Sequence, residues 1–199
     1  MTLTEYLTRH YACRDAVAWA ANRPASEALW RECPDASWMI WLCTMLGVRR
    51  ELLVLCATGC ARSVLHLAPA GEDRPRLVVE VAEAWAYGRA TLEDVRAAVH
   101  AAVHAAYAAA DDDAAYAAAY AAAYAARAAA YAAAYVAAYA AAAATVASDA
   151  ADAAARAADA AGICTREHAL ARYARGVRDV VPWWHVADCL RAAGVEVAP

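Results

Sequence analysis

The stretch YAAAYAAAYAARAAAYAAAYVAAYAAAAA, from Tyr116 to Ala144, decides the fold of this chain. It lies inside a longer run, residues 105–161, that is almost entirely alanine with tyrosines mostly four residues apart. Alanine has the highest intrinsic helix propensity, and no glycine or proline interrupts residues 90–161. The run is therefore predicted to be helical.

The length of this run constrains its shape. A straight helix over residues 111–161 would be roughly 75 Å long at 1.5 Å per residue, whereas a compact protein of this size is about 40 Å across. The run is therefore expected to break, near Thr145–Asp149, or to project from the rest of the protein. The aspartates Asp111, Asp112 and Asp113 suit the positive N-terminal end of a new helix and indicate a bend or break there.

The apolar composition of the run does not predict a membrane span. Alanine is nearly neutral toward lipid, Arg127 lies in the middle of the run, and aspartates flank it on both sides. A spanning helix needs about twenty strongly apolar residues such as leucine, isoleucine or valine. We therefore expect no membrane partner.

Shorter helical patterns, separated by glycine and proline, make up the remaining chain. Thr4 is expected to cap a first helix that carries Leu7, Tyr11 and Cys13 on its inner side and ends at residues 22–24. One helix is expected over residues 49–67, with Gly59 as a weak point. Other helix starts are predicted at Ser26, at Asp35 or Ser37, at Pro75, at a Thr91–Asp94 capping box, at Thr165 and at Pro182.

No segment shows sustained two-residue alternation, so the predicted fold is all-α, a multi-helix bundle with one or more long alanine/tyrosine-rich helices. A chain of 199 residues suits a single domain, residues 1–199. Its helical body is predicted to comprise residues 1–110 and 162–199. The alanine/tyrosine-rich segment, residues 111–161, is expected to lie against this body or to extend from it.

Charge and cysteine content narrow the class of protein. The chain has 18 basic residues, all arginine, against 22 acidic residues, and its net charge is −4. Because the arginines are scattered, a nucleic-acid partner is not expected. Seven cysteines and an N-terminus without an apolar signal segment favour reduced thiols and a cytoplasmic location. Arginine without lysine and the alanine content are typical of a high-GC bacterial or phage genome.

The tyrosines of the run share one helical face. At 100° per residue, six tyrosines and one arginine fall within a stripe about 140° wide, and the opposite face is alanine. Such a stripe either packs on the body, leaving the alanine face to another helix, or binds a partner, since tyrosine and arginine are enriched at binding hot spots. The candidate partner-binding residues are Tyr116, Tyr120, Tyr124, Arg127, Tyr131, Tyr135 and Tyr139.

No pattern predicts catalysis, a cofactor or a metal ion. His100 and His104 are one turn apart, but the segment HAAVH lacks the glutamate of a zinc-hydrolase motif. Cys56 and Cys60 belong to no C-x2-C pair and are expected to be buried thiols. Neither a nucleophile elbow nor a glycine-rich phosphate loop occurs in the sequence. We therefore expect a protein that is not an enzyme, and we assign no catalytic, cofactor-binding or metal-binding residues.

Seven tryptophans supply large apolar side chains to this alanine-rich sequence. Trp30, Trp38, Trp41 and Trp85 are expected to be mostly core residues, because this alanine-rich chain has few other large apolar groups. Adjacent helical positions point about 100° apart, so at least one of Trp183 and Trp184 should be exposed. Trp184 joins the candidate partner-binding residues.

The segments outside the repeat resemble the immunity proteins of the immunity-five-like group, which are common in bacteria and phages. The residues that carry the resemblance are Cys13, Trp19, Trp30, Cys33, Asp35, Trp38, Met39, Trp41, Cys56, Arg62, Pro69, Glu72, Arg74, Pro75, Ala84, Trp85, Arg178, Pro182 and Trp183. The chain departs from the group in its long tyrosine repeat and in Trp184-His185, where acidic residues often follow Pro-Trp. The resemblance implies a helical protein that neutralises a toxin by binding it.

The sequence thus predicts a non-catalytic protein that binds another protein, such as a toxin or a defence component. The alternative is a structural or self-associating helical protein, of phage origin, whose alanine/tyrosine helix mediates oligomerisation. Four-residue repeats also arise by repeat expansion in a helix that faces solvent, and the repeat would then be tolerated filler.

Overall fold

The computed structural model describes residues 1–108, 112–134 and 140–198, with side chains except at 125–134, 140–145 and 147. Within these residues the chain forms eleven α-helices and one short 310 helix, Leu65–Leu67, and no named strand. The predicted all-α class is confirmed. The helices are α1 Leu3–Arg9, α2 Arg14–Ala20, α3 Glu27–Glu32, α4 Ala36–Met45, α5 Arg50–Arg62, α6 Arg74–Ala86, α7 Leu92–Ala108, α8 Asp113–Ala134, α9 Ala140–Ala160, α10 Arg166–Val180 and α11 Trp183–Ala192.

The first predicted helix is two helices. Thr2, and not Thr4, caps α1, because its hydroxyl accepts from the Glu5 backbone while the Glu5 carboxylate accepts from the Thr2 backbone. The chain leaves the helix at Tyr11, which adopts a left-handed φ of 61°. Tyr11 and Cys13 are therefore exposed, and their predicted place on an inner face is wrong.

Most other predicted helix starts are confirmed by side-chain caps. Ser26 caps α3, and the Asp35 carboxylate accepts from the backbones of Ser37 and Trp38 to cap α4. Thr91 and Asp94 form a reciprocal capping box before α7, and Thr165 caps α10.

The predicted helix over residues 49–67 ends earlier than expected. Gly59 lies inside α5 without interrupting it, and the helix stops at Arg62, before the 310 turn. Proline begins α6, as predicted, at its first turn. Before it, the Glu72 carboxylate accepts from the Arg74 backbone at 3.0 Å and from its guanidinium, which fixes the turn into the helix.

The alanine/tyrosine run contains two long helices. Asp112 accepts from the backbone N–H groups of Ala114 and Ala115, both at 3.0 Å, so a new helix begins at the predicted aspartates. The expected break at Thr145–Asp149 is wrong, because these residues lie inside α9. Their helix propensities fall only a few tenths of a kcal/mol below that of alanine, and the buried alanines that follow hold α9 in the core.

Helices α8 and α9 lie at the centre of the bundle. They pack against each other, and α8 also packs against α5, α6 and α7 while α9 packs against α4, α5 and α10. Their contact faces are almost purely alanine. Among the residues of α8 and α9 whose side chains the structure describes, the buried ones are Ala115, Ala118, Ala119, Ala121, Ala122, Ala123, Val146, Ala150, Ala151, Ala153, Ala154, Ala155, Ala157 and Ala158.

The two ends of the chain are joined. The Met1 ammonium donates to the Gly194 carbonyl at 2.9 Å, and the Ala198 backbone donates to the Ala25 carbonyl at 2.8 Å. Ala25 and Val197 form an isolated parallel bridge. Among the described helices, none combines the length and the apolar character that crossing a bilayer requires.

Candidate functional site

A groove of about 690 Å³ runs along the seam between α8 and α9, and we call it the tyrosine groove. One wall carries residues of α8 at helical spacing, and the other wall carries residues of α9. The two helices run in opposite directions, so the start of α8 lies beside the end of α9. The lining residues are Asp113, Tyr116, Ala117, Tyr120, Tyr124, Ala153, Arg156, Asp159 and Ala160.

Three tyrosines form a continuous row along the groove. The ring centroids of Tyr116 and Tyr120 are 4.6 Å apart, and those of Tyr120 and Tyr124 are 5.8 Å apart. Both separations are typical of favourable aromatic pairs. Tyr116 is 36% exposed, so the row combines a packed lower edge with rings that solvent or a partner can reach.

A tyrosine of α7 extends this row. Hydrogen bonding to the Tyr116 hydroxyl and then to the Tyr107 hydroxyl raises the pKa of Tyr120 well above its ordinary value. A tyrosine hydroxyl has an ordinary pKa of about 10, so it is neutral at physiological pH with or without this shift. Tyr107 is 63% exposed.

Some charged side chains of the groove form ion pairs and others do not. Arg156 donates to the Asp152 carboxylate at 2.5 Å, and Asp152 also accepts from the Arg166 guanidinium, at 3.0 Å from its Nε. Asp113 and Asp159 line the groove as exposed carboxylates, and neither has an ion-pair partner among the described residues. The groove therefore carries two carboxylates beside its aromatic rings.

The structure brings together three of the eight predicted partner-binding residues, Tyr116, Tyr120 and Tyr124. Arg127 and Tyr131 belong to α8, but the structure does not describe their side chains. Tyr135 and Tyr139 lie outside the described residues. Trp184 is 64% exposed on α11, edge-on to the His185 ring, and it does not line the groove. The expectation that one of the two adjacent tryptophans is exposed is confirmed.

The opposite wall of the groove was missed by sequence reasoning. Arg156 and Asp159 follow Ala153 at three-residue spacing, which places them on one face of α9. That spacing is visible in the sequence. Which face of α9 meets α8 depends on how the two helices pair, and no single residue signals it.

Among the described residues, the histidines and cysteines form neither a metal site nor a cluster of reactive thiols. His100 and His104 are exposed on α7, and in the described ranges no group of three His, Cys, Asp or Glu side chains could hold a metal ion. Cys33, Cys43, Cys56 and Cys60 are buried, and desolvation raises the pKa of each thiol, to about 11 for Cys33 and about 12 for Cys60. Protonated thiols are poor nucleophiles and poor ligands.

A second concavity lies among the tryptophans. It is an apolar cavity of about 40 Å³ between α1–α4 and α11, and its lining includes Trp19, Trp30, Trp38 and Trp183. The Trp30 indole N–H, which is buried, has no hydrogen-bond partner in the described part of the chain. The cavity exposes no polar atom, so it offers packing surface and no chemistry.

Arg178 links this tryptophan region to the end of α3. Its guanidinium donates to the carbonyls of Trp30 and Cys33, at 3.4 and 3.3 Å. These carbonyls belong to the last turn of a helix, which leaves acceptors without intrahelical partners. The arginine therefore has a structural role, and its sequence surroundings gave no sign of it.

Comparisons with protein-family models, with curated proteins and with solved structures found nothing that matches this chain.

Proposed function

We propose that this chain is a non-catalytic protein-binding protein and that the tyrosine groove is its docking surface. The observation that carries the proposal is the row of mutually contacting, tilted rings Tyr116–Tyr120–Tyr124, open along one side and flanked by charged side chains. Tyrosine offers a large contact area with few rotatable bonds, so a row whose rings already contact one another loses little side-chain entropy on binding.

The rigidity of the surrounding helices supports this use of the surface. The rings project from α8, whose opposite face is buried alanine in the centre of the bundle. A docking surface built on a buried helix is held in place more firmly than one built on a loop. Of the described tyrosines of α8, Tyr116 is exposed, whereas Tyr120 and Tyr124 are half-buried and Tyr124 packs against the core, which anchors the row at one end.

The biological role that we propose is neutralisation of a toxin or a defence component, in the cytoplasm. This role rests on the resemblance to the immunity proteins of the immunity-five-like group. Seven free thiols, four of them buried, suit a reducing compartment. A protein that acts by occlusion needs an exposed contact surface and no reactive group.

A growth-rescue experiment tests this proposal. Each product of the genes that neighbour this one is expressed alone and with this chain, and growth is followed. The wild type is expected to rescue one toxic neighbour, and Tyr116→Ala/Tyr120→Ala/Tyr124→Ala is expected to lose the rescue while keeping its helical circular dichroism. As a matched control, Tyr11→Ala/Tyr87→Ala removes two exposed tyrosines away from the groove and should rescue normally.

The outcomes separate the candidate functions. If no neighbour is toxic, the immunity role is wrong. If the triple variant rescues as well as wild type, the groove is not the docking surface. Light scattering against protein concentration examines the alternative, because a self-associating protein would form an oligomer that the triple variant cannot form.

A further inference from the structure

We propose that the tyrosine groove receives an arginine side chain of the partner, held between the ring faces and the carboxylates of Asp113 and Asp159. This inference rests on the proposed function and names the chemistry of the partner at the same surface. Its basis is that the groove combines aromatic faces with two carboxylates that have no ion-pair partner in the described chain.

The first step concerns the carboxylates. Among the described residues, two acidic side chains line the groove and two more, Asp112 and Asp152, are next to lining residues in sequence and already have partners. Asp112 accepts two backbone N–H groups at the start of α8, and Asp152 accepts from Arg156 and Arg166. Asp113 and Asp159 remain exposed and without ion pairs among the described residues. The lining carries two carboxylates against one cation, Arg156, so the groove presents net negative charge.

The second step concerns the helix dipoles. Asp113 lies in the first turn of α8, where the partial charge of the helix end is positive. Asp159 lies in the last turn of α9, where it is negative. Because these two helix ends are neighbours, their partial charges oppose each other. The carboxylates therefore set the sign of the local potential.

The third step concerns the rings. The face of a tyrosine ring attracts a cation within about 6 Å of its centroid. This fold already uses such contacts elsewhere: the guanidinium carbon lies 4.7 Å from the Trp19 centroid for Arg23, and 5.1 Å from the Tyr87 centroid for Arg89. In the described chain no arginine covers Tyr116 or Tyr120. Both rings line the groove beside the carboxylates and are available to an arginine from outside.

Arginine fits this combination better than lysine. A guanidinium is planar, so it stacks on a ring while its edge donates to carboxylates, whereas an ammonium is a compact and strongly hydrated charge. An acidic partner segment would meet Asp113 and Asp159 and be repelled. The proposed occupant is therefore an arginine-bearing protein segment.

Isothermal titration calorimetry with hexa-arginine, hexa-lysine and hexa-glutamate peptides, in 50 mM salt, tests the inference. Hexa-arginine is expected to bind the full chain, hexa-lysine more weakly, and hexa-glutamate not at all. Asp113→Asn/Asp159→Asn should weaken hexa-arginine binding by about two- to thirty-fold, the sum of two exposed charge contacts. The control Asp15→Asn/Glu51→Gln changes the net charge equally, away from the groove, and should bind as the wild type does.

Three results would overturn the inference: no hexa-arginine binding, equal affinity for hexa-lysine, or equal losses in the two charge variants. The growth-rescue experiment remains independent of it. If Asp113→Asn/Asp159→Asn rescues growth while the triple tyrosine variant does not, the docking surface stands and the arginine inference falls.

Discussion

The α4–α5 pair and the α8–α9 pair bury their helices with side chains of very different size. Helices α4 and α5 bury large groups such as Met39, Ile40 and Val54, whereas the buried side chains described for α8 and α9 are alanines apart from Val146. Each buried methylene contributes about 0.8 kcal/mol, so large residues supply more transfer free energy per position. Alanine instead allows helix axes to approach closely, since axial separation depends on the side chains at the contact.

This difference shows that one hydrophobic core can be stabilised in one part by large buried side chains and in another part by small side chains that let helices pack closely. In the α4–α5 region, a truncated side chain leaves a cavity. In the α8–α9 region there is little to truncate, and an enlarged side chain has no space to enter. Truncation of a buried side chain should therefore destabilise the α4–α5 pair more than the α8–α9 pair, and enlargement should destabilise the α8–α9 pair.

The largest expected effect is a truncation in the α4–α5 pair. Ile40 is fully buried, so Ile40→Ala should lower the free energy of unfolding by about 2–5 kcal/mol through lost burial and a residual cavity. Urea unfolding followed by circular dichroism measures this loss. The corresponding truncation in the alanine pair, Ala122→Gly, should cost about 2 kcal/mol, from the difference in helix propensity and the loss of one buried methyl group. Equal losses in the two variants would contradict the comparison.

The converse change is an enlargement in the alanine pair. Ala154 is fully buried on α9, and Ala154→Leu should lower the free energy of unfolding by about 1–3 kcal/mol, because the added groups force neighbouring helices apart. The control is Ala97→Leu on the exposed side of α7, which should stay within about 0.5 kcal/mol of wild type. If Ala154→Leu stabilised the protein, the alanine pair would contain unfilled space, and its close packing would be wrong.

Helix starts were easier to predict from the sequence than helix ends. Ser26, Asp35, Thr91 and Thr165 cap helices as expected, because a short polar side chain before an apolar run has a local physical role. Tyr11 ends α1 in a left-handed conformation that no local signal favours. In the alanine run, propensity is almost uniform, so tertiary packing alone decides where the helices turn.

The candidate site was predictable on one wall only. The four-residue spacing placed Tyr116, Tyr120 and Tyr124 on one face, and the structure shows these rings in one row. Asp159 and Arg156 reach the same groove only because α9 folds back beside α8. Their register depends on the packing of alanine faces that look alike at every turn, so sequence periodicity could not supply it.

A third prediction uses pH to separate the regions, because all four buried thiols lie in residues 33–60 and none in α8 or α9. Burial raises the folded pKa of Cys33 to about 11 and of Cys60 to about 12, above the ordinary thiol value. The folded protein therefore keeps protons that the unfolded chain loses. This stabilisation is complete below the ordinary thiol pKa and disappears as pH rises through the folded pKa.

The free energy of unfolding should consequently fall as the pH rises from 8 to 10, by about 1.5–2 kcal/mol per buried thiol at pH 10. Urea midpoints at pH 7, 8, 9 and 10 measure the slope, and no lysine titrates in this range because the chain has none. Cys60→Ala should make the slope shallower, whereas Cys13→Ala, at an exposed thiol, should leave it unchanged. An identical slope in wild type and Cys60→Ala would mean that thiol burial does not control alkaline stability.

The smallest expected effect concerns the ion pairs that tie each region to its neighbour. Arg62 of α5 donates two hydrogen bonds to the Glu83 carboxylate of α6, at 3.1 and 2.6 Å. At the edge of the alanine pair, Asp152 forms ion pairs with two arginines, Arg156 on its own helix and Arg166 on α10. An exposed pair of this kind contributes about 0.2–1 kcal/mol. Since Asp152 loses two partners on substitution, Asp152→Asn should cost about twice as much as Glu83→Gln.

Double-mutant cycles separate these contributions. The coupling of Asp152 with Arg166 joins α9 to α10, whereas its coupling with Arg156 stays within one helix. Only the first coupling should vanish if the alanine pair moved away from α10. Suppose that the cycle of Asp152 with Arg166 shows no coupling free energy, while the cycle of Arg62 with Glu83 shows one. The close packing of alanine would then hold α9 in the bundle without a contribution from this ion pair.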